Sequence, residues 1–150
     1  MPKNHPGNSS GQNNHPDCIF CQIAQGKAPA WKVYEDAHVV AFFDINPVNE
    51  YHTLVIPKQH YVNVFDTPVE ELQHVIAAVK RITAVYQEKL GIQNVQIVNS
   101  SGREAQQDVF HLHFHIVPRH AGDGQNVRWN SHPEVRERFD GLLEKIGEIE

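Results

Sequence analysis

Two hydrophobic periods divide the chain. Between Val69 and Leu90 apolar side chains recur three and four residues apart: Val69, Leu72, Val75, Ile76, Val79, Ile82, Val85, Tyr86 and Leu90. That spacing predicts one long amphipathic helix with a single apolar stripe. Thr67 is placed to cap it, Pro68 suits its first position, Glu70 completes a capping box, and Gly91 stops it. The second period is two. In Phe110-His111-Leu112-His113-Phe114-His115-Ile116-Val117-Pro118-Arg119 apolar residues alternate with histidines, predicting a strand. Phe110, Leu112, Phe114 and Ile116 should face a core, with His111, His113 and His115 on the opposite face. Trp31–Glu35 and Val39–Asp44 read as a hairpin, and Thr53–Pro57 and Val95–Asn99 as further strands. A short helix is expected over Phe20–Gln25, ending at Gly26. A last amphipathic helix should run from Pro133 or Glu134 to about Ile146, burying Val135, Phe139, Leu142, Leu143 and Ile146. Without βαβ alternation, the expected class is α+β, with a mainly antiparallel sheet of about five strands.

Composition narrows the possibilities. The 150 residues suit one domain that buries about two-thirds of its unfolded surface. Residues 1–16 are Asn, Gly, Ser, Pro and Gln with almost no apolar side chain. They cannot offset their own ordering entropy, so a disordered tail is expected there, with the domain over 17–150. His5 and His15, inside that tail, are expected to take no part in chemistry. No apolar run of about 18 residues occurs, so no membrane span is expected. The start lacks the apolar core of a secretory signal, and a cytoplasmic location follows as an expectation. A net charge of −5 without a basic cluster argues against nucleic acid as the main partner.

Histidine is the compositional outlier, with 11 against 2 cysteines. Alternate positions on a strand lie about 6–7 Å apart, so three imidazoles stand in a row. Each can be a nucleophile, a proton donor or a metal ligand near neutral pH. All three cannot hold one catalytic ion. The row spans about 13 Å, too far for ligand bonds near 2 Å. Cys18-Ile19-Phe20-Cys21 leaves three readings open: a redox pair, although the usual βαβ setting is missing; a disulfide, poorly suited to so short a loop; or half of a zinc site. The third needs two more ligands, and the histidine surplus supplies candidates.

The motif His111-Leu-His113-Phe-His115-Ile-Val117 resembles the His-x-His-x-His-x-x pattern of the histidine triad (HIT) superfamily. Further blocks occur in that family's order: Phe42-Phe43-Asp44-Ile45-Asn46-Pro47, His52-Thr-Leu-Val-Ile-Pro57-Lys58, and Asn99 followed by Gly102 and Gln107. The resemblance covers roughly residues 17–119. It implies a HIT-like α+β fold and a nucleotide hydrolase or transferase attacking the α-phosphate of nucleoside phosphoramidates or dinucleoside polyphosphates. His113 would be the nucleophile, a reading its chemistry supports, since a neutral imidazole attacks well and leaves readily once phosphorylated. His115 would assist at the phosphate or leaving group, and His52 would orient or relay protons. Asp44 matches the ribose-binding carboxylate, an acceptor suited to a diol. Asn99 and Gln107 match amides near the phosphate. Ile19, Phe20, Ile23, Phe43, Ile45 and Leu54 match the apolar slot around a purine base, so an AMP-type nucleotide is the implied partner.

Members with a leading Cys-x-x-Cys carry a structural zinc, which by resemblance falls on Cys18, Cys21, His60 and His111. No catalytic cofactor is implied. Homodimerisation through the long helix and an edge strand is implied as well. The alternative is a nucleotide-binding or scaffold protein whose catalysis is incidental. Two departures bear on substrate preference: Gln106 stands where the family usually has Gly, and Asp108 where Ser or Thr is common.

Overall fold

The computed structural model describes residues 15–150; the tail reading of 1–16 therefore lies, except for its last two residues, outside the described residues. Five strands, β1 (Lys32–Glu35), β2 (Val39–Phe43), β3 (Thr53–Pro57), β4 (Val95–Val98) and β5 (Phe114–Pro118), form one antiparallel sheet in the order β1-β2-β3-β5-β4. The class is α+β. The long helix α2 (Val69–Leu90) covers one face, packing Val75, Ala78, Val79, Ile82 and Tyr86 on Val39, Ala41, Val55 and Ile116. The short helix α1 (Ile19–Ala24) covers part of the other, setting Phe20 and Ile23 over Val40, Phe42, Leu54 and Ile56. Covering on both sides explains why β2 and β3 are continuous apolar runs rather than alternating ones.

Local chemistry starts and stops these elements. The Asp36 carboxylate accepts from the His38 and Val39 amides at 2.7 and 2.8 Å, closing the β1–β2 turn. Gly91 ends α2 in the left-handed region, φ 70°, where its amide still reaches the Gln87 carbonyl. The capping box does not form. Thr67 donates its hydroxyl to the Asn63 carbonyl at 2.6 Å, and Pro68 stands at the cap without a side-chain bond.

Three expectations about burial need correction. Only part of the α2 stripe is buried, while Val69, Ile76, Val85 and Leu90 are exposed; nine positions spaced by three and four spread over a wider arc than one sheet face covers. The histidine strand is shorter than its alternation, since pairing with β3 begins at Phe114 opposite Val55. Before that point the Leu112 amide donates to Tyr61, not to β3. Leu112 and Ile116 are fully buried, Phe114 is half-buried, and Phe110 lies on the surface under the Arg103 guanidinium, 5.0 Å from its ring centre. The opposite face is not open either, for His111 and His113 are buried beneath Phe20 of α1. Finally, a 3₁₀ segment Pro133–Arg138 leads into α3 (Phe139–Ile146), and neither buries a residue. Val135, Phe139, Leu142, Leu143 and Ile146 stay outside the core because the sheet's covers are α1 and α2. No helix among the described residues is long and apolar enough to cross a membrane.

Candidate functional site

Where α1, the end of β2 and the start of β5 meet, they enclose a cleft of about 270 Å³. Ile19, Phe20, Ile23, Phe43, Ile45 and Leu54 all line it, with Asp44, His113 and His115 on its polar side. The apolar wall exists because α1 lies across the sheet; Phe20 and Ile23 are buried, whereas Ile45 stands at the rim.

The hydrogen bonds assign proton positions to the histidines. His113 Nδ1 lies 2.8 Å from the His111 carbonyl oxygen, an acceptor, so Nδ1 carries the proton and Nε2 presents its lone pair. His52 Nδ1 accepts from the Val48 amide at 3.1 Å, which leaves the proton on Nε2. That proton points at His115 Nδ1, 2.9 Å away, with Asp44 Oδ2 at 3.5 Å alongside. His115 therefore keeps its own proton on Nε2. Burial, followed by the nearby His113 and His52, pushes the His115 imidazole down to about 4. Burial also lowers His52, with Asp44 opposing. At neutral pH the cleft thus holds a neutral histidine pair.

Asp44 uses Oδ1 to accept from the Asn46 amide at 2.8 Å, leaving Oδ2 with His52 at the edge of the cleft. Asn99 and Gln107 are placed as braces. Asn99 donates to the His113 carbonyl at 3.0 Å and so holds the backbone of the central histidine. The buried Gln107 accepts from the Gly102 amide and donates to the Val62 and Val109 carbonyls; in this geometry its amide fastens the loop and does not line the cleft. Asp108 does line it. Its carboxylate lies 3.6 Å from His113 Nε2, held there by the Val109 amide at 2.8 Å. Arg119 pairs instead with Asp123, at 2.7 Å.

The second cluster brings Cys18, Cys21, His60 and His111 together, their donor atoms all within 4.8 Å of one another. The sulfur-to-nitrogen distances are 3.4 Å for Cys18–His111, 3.3 Å for Cys21–His60 and 3.5 Å for Cys21–His111. Tetrahedral bonds of about 2.3 Å to sulfur and 2.0–2.1 Å to nitrogen put such donors about 3.6 Å apart. The three sulfur-to-nitrogen distances match the spacing of a tetrahedral zinc set. His111 Nε2 sits 2.9 Å from the Pro57 carbonyl, which assigns the proton there and turns Nδ1 toward the sulfurs. One contributor went unread in the sequence. His15, assigned to the tail, is buried, stacks on His60 with ring centres 3.8 Å apart, and donates its amide to Cys21 Sγ. Its place three residues before Cys18 was the only available signal.

Comparison with known proteins agrees with this architecture. The HIT domain family matches residues 25–122. A HIT-like protein of Methanocaldococcus jannaschii is 52% identical over 129 residues, 86% of this chain and 98% of that one. An adenosine 5'-monophosphoramidase of Schizosaccharomyces pombe is 37% identical over 130 residues, 86% of this chain and 95% of its own. Among solved structures, a Streptococcus mutans protein superposes with a TM-score of 0.83 at 36% identity, covering 89% of this chain and 85% of that one. A zinc-bound histidine triad family protein from Mycobacterium smegmatis does so at 0.70 and 38%, covering 87% and 95%.

Proposed function

This chain belongs to the HIT family, and from that premise we propose that it hydrolyses nucleoside phosphoramidates or dinucleoside polyphosphates through a nucleotidyl-His113 intermediate. The observation that carries the reading is the His113 ring, whose Nδ1–H is engaged by the His111 carbonyl while Nε2 stands in a cleft with one apolar wall. A purine fits that wall, and the Asp44 carboxylate accepts from the ribose hydroxyls. His113 Nε2 attacks the α-phosphorus, forming an N–P bond as the bond to the leaving group breaks. His115, neutral in the free site, takes up a second proton on Nδ1 when the phosphate's negative charge arrives, as the His52 Nε2–H turns to Asp44 Oδ2. It passes its Nε2 proton to the departing amine or phosphate oxygen. Water then attacks phosphorus, returns a proton to His115 and frees His113, releasing a nucleoside monophosphate. His52, its tautomer set by the Val48 amide, orients His115.

Cys18, Cys21, His60 and His111 hold a structural zinc, with no ligand position left open for substrate. The protein works as a homodimer, paired through α2 and the β4 edge. The direct test incubates His113→Ala beside the parent with adenosine phosphoramidate. Loss of AMP release with retained AMP binding is expected; equal release from both proteins overturns the nucleophile. For the metal, analysis should find one zinc per chain in the parent and less in Cys18→Ser. An unchanged stoichiometry of one refutes the ligand set.

A further inference from the structure

A third group of side chains of metal-ligating type lies away from the cleft and the cysteines, where the turn between β1 and β2 meets the first turns of α2. His38 and His74 stack there with ring centres 3.8 Å apart and planes 7° from parallel. Glu71 joins them from the position three residues before His74 on the same helix face. One donor atom from each of the three lies within 4.8 Å of the others. The backbone holds this meeting in place. Asp36 accepts the His38 amide, the Lys58 amide donates to the His38 carbonyl at 2.8 Å, and Val75 and Val79 anchor α2 on the sheet. No hydrogen bond to another described residue engages the nitrogens of either ring. Helix spacing brings Glu71 to His74, and the β1–β2 turn brings His38 onto His74, so three side chains of metal-ligating type meet at one point of the surface.

We propose that His38, Glu71 and His74 form a second metal site, selective for an exchangeable divalent transition ion such as Zn²⁺ or Ni²⁺. Two imidazole nitrogens and one carboxylate oxygen suit those ions over Mg²⁺ or Ca²⁺, which prefer all-oxygen sets. The site has no thiolate, and His38 is exposed, so water completes the coordination and the ion exchanges with solvent. In the parallel stack the in-plane lone pairs of the two rings do not converge, so ligation requires one ring to rotate out of the stack. The exposed His38 side chain is placed to do so. A bound ion ties the β1–β2 turn to α2, and β2 leads directly to Phe43 and Asp44 at the cleft.

The test titrates the zinc-loaded protein with Ni²⁺ by calorimetry, alongside His74→Ala, Glu71→Gln and a His38→Ala/His74→Ala double variant. One further ion per chain is expected in the parent. Removing His74 should weaken it by at least about tenfold, the loss known even for outer-shell partners of a metal. Glu71→Gln should weaken it less, and the double variant should abolish it. Metal analysis should still find the original zinc in every variant, and circular dichroism an unchanged fold. Proton NMR should show Ni²⁺ broadening His38 and His74 first. Absence of a second ion in the parent overturns the site, and so does a second ion that survives in the double variant.

Discussion

His115 and His52 show how burial, more than residue type, sets the chemistry of a histidine. The His115 value of about 4 lies below the ordinary 6.5 of an unfolded chain. As pH falls through that interval the unfolded state takes up protons first. Stability linked to His115 is therefore complete above about pH 6.5 and is lost as pH drops toward 4; His52, also lowered, acts in the same direction. Thermal unfolding of the metal-loaded protein should show its midpoint falling across that window, with a smaller fall in His115→Asn. Asp108 is the other decisive residue. An exposed carboxylate 3.6 Å from His113 Nε2, the proposed nucleophile, should repel an incoming phosphate, although solvent screens the effect. Asp108→Ser should lower KM for adenosine phosphoramidate by about threefold with kcat little changed; an unchanged or higher KM would show that the carboxylate turns away when substrate binds. Gln106, where the family usually has glycine, sits at φ 70°, a conformation that costs a non-glycine residue about 1 kcal/mol.

At the scale of elements, α1 joins the Cys/His cluster to the apolar wall of the cleft. Six residues make too short a helix to stand alone, and this one carries Phe20 and Ile23 of the slot between Cys18 and the chain that follows Cys21. Stripping the zinc should loosen α1 and with it the apolar wall. AMP affinity is expected to fall by about tenfold or more on chelation, with the unfolding midpoint dropping as well, and re-addition of zinc should restore both. Calorimetry before and after chelation measures this; unchanged affinity would separate the metal from the slot. β5 makes the complementary point. Its ladder stops at Phe114, and the Asn99 amide and the Tyr61 carbonyl take over support of the two residues before it.

Across the whole molecule, apolar surface remains that no other described residue covers. Ile76 and Val85 on α2, Ile97 and Val98 on the β4 edge, and Phe139, Leu143 and Ile146 on α3 are all exposed. A second copy is the partner that family resemblance implies, and an isologous pairing would cover the same patch on both chains. Light scattering should give twice the chain mass, and Ile76→Asp with Ile97→Asp should return it to that of one chain. A monomeric parent would overturn the dimer.

The order of elements and the Gly91 stop were legible in the chain because each depends on local periodicity, and the meeting of cysteines with histidines because family resemblance implied it; the two-sided burial of β2 and β3 emerged only from the fold. Capping at Thr67, the reach of the histidine strand and the exposure of α3 were not, since those depend on which neighbour takes a hydroxyl, an amide or an apolar face. Residue identity determined that three imidazoles would stand two apart, and tertiary structure brought the first of them beside the cysteine pair, 90 residues and more away in sequence. Tertiary structure alone decided which nitrogen of each ring carries its proton. That is settled by the His111 and Pro57 carbonyls and the Val48 amide, backbone groups brought to the rings by folding and present identically in every residue type except proline, whose amide has no hydrogen.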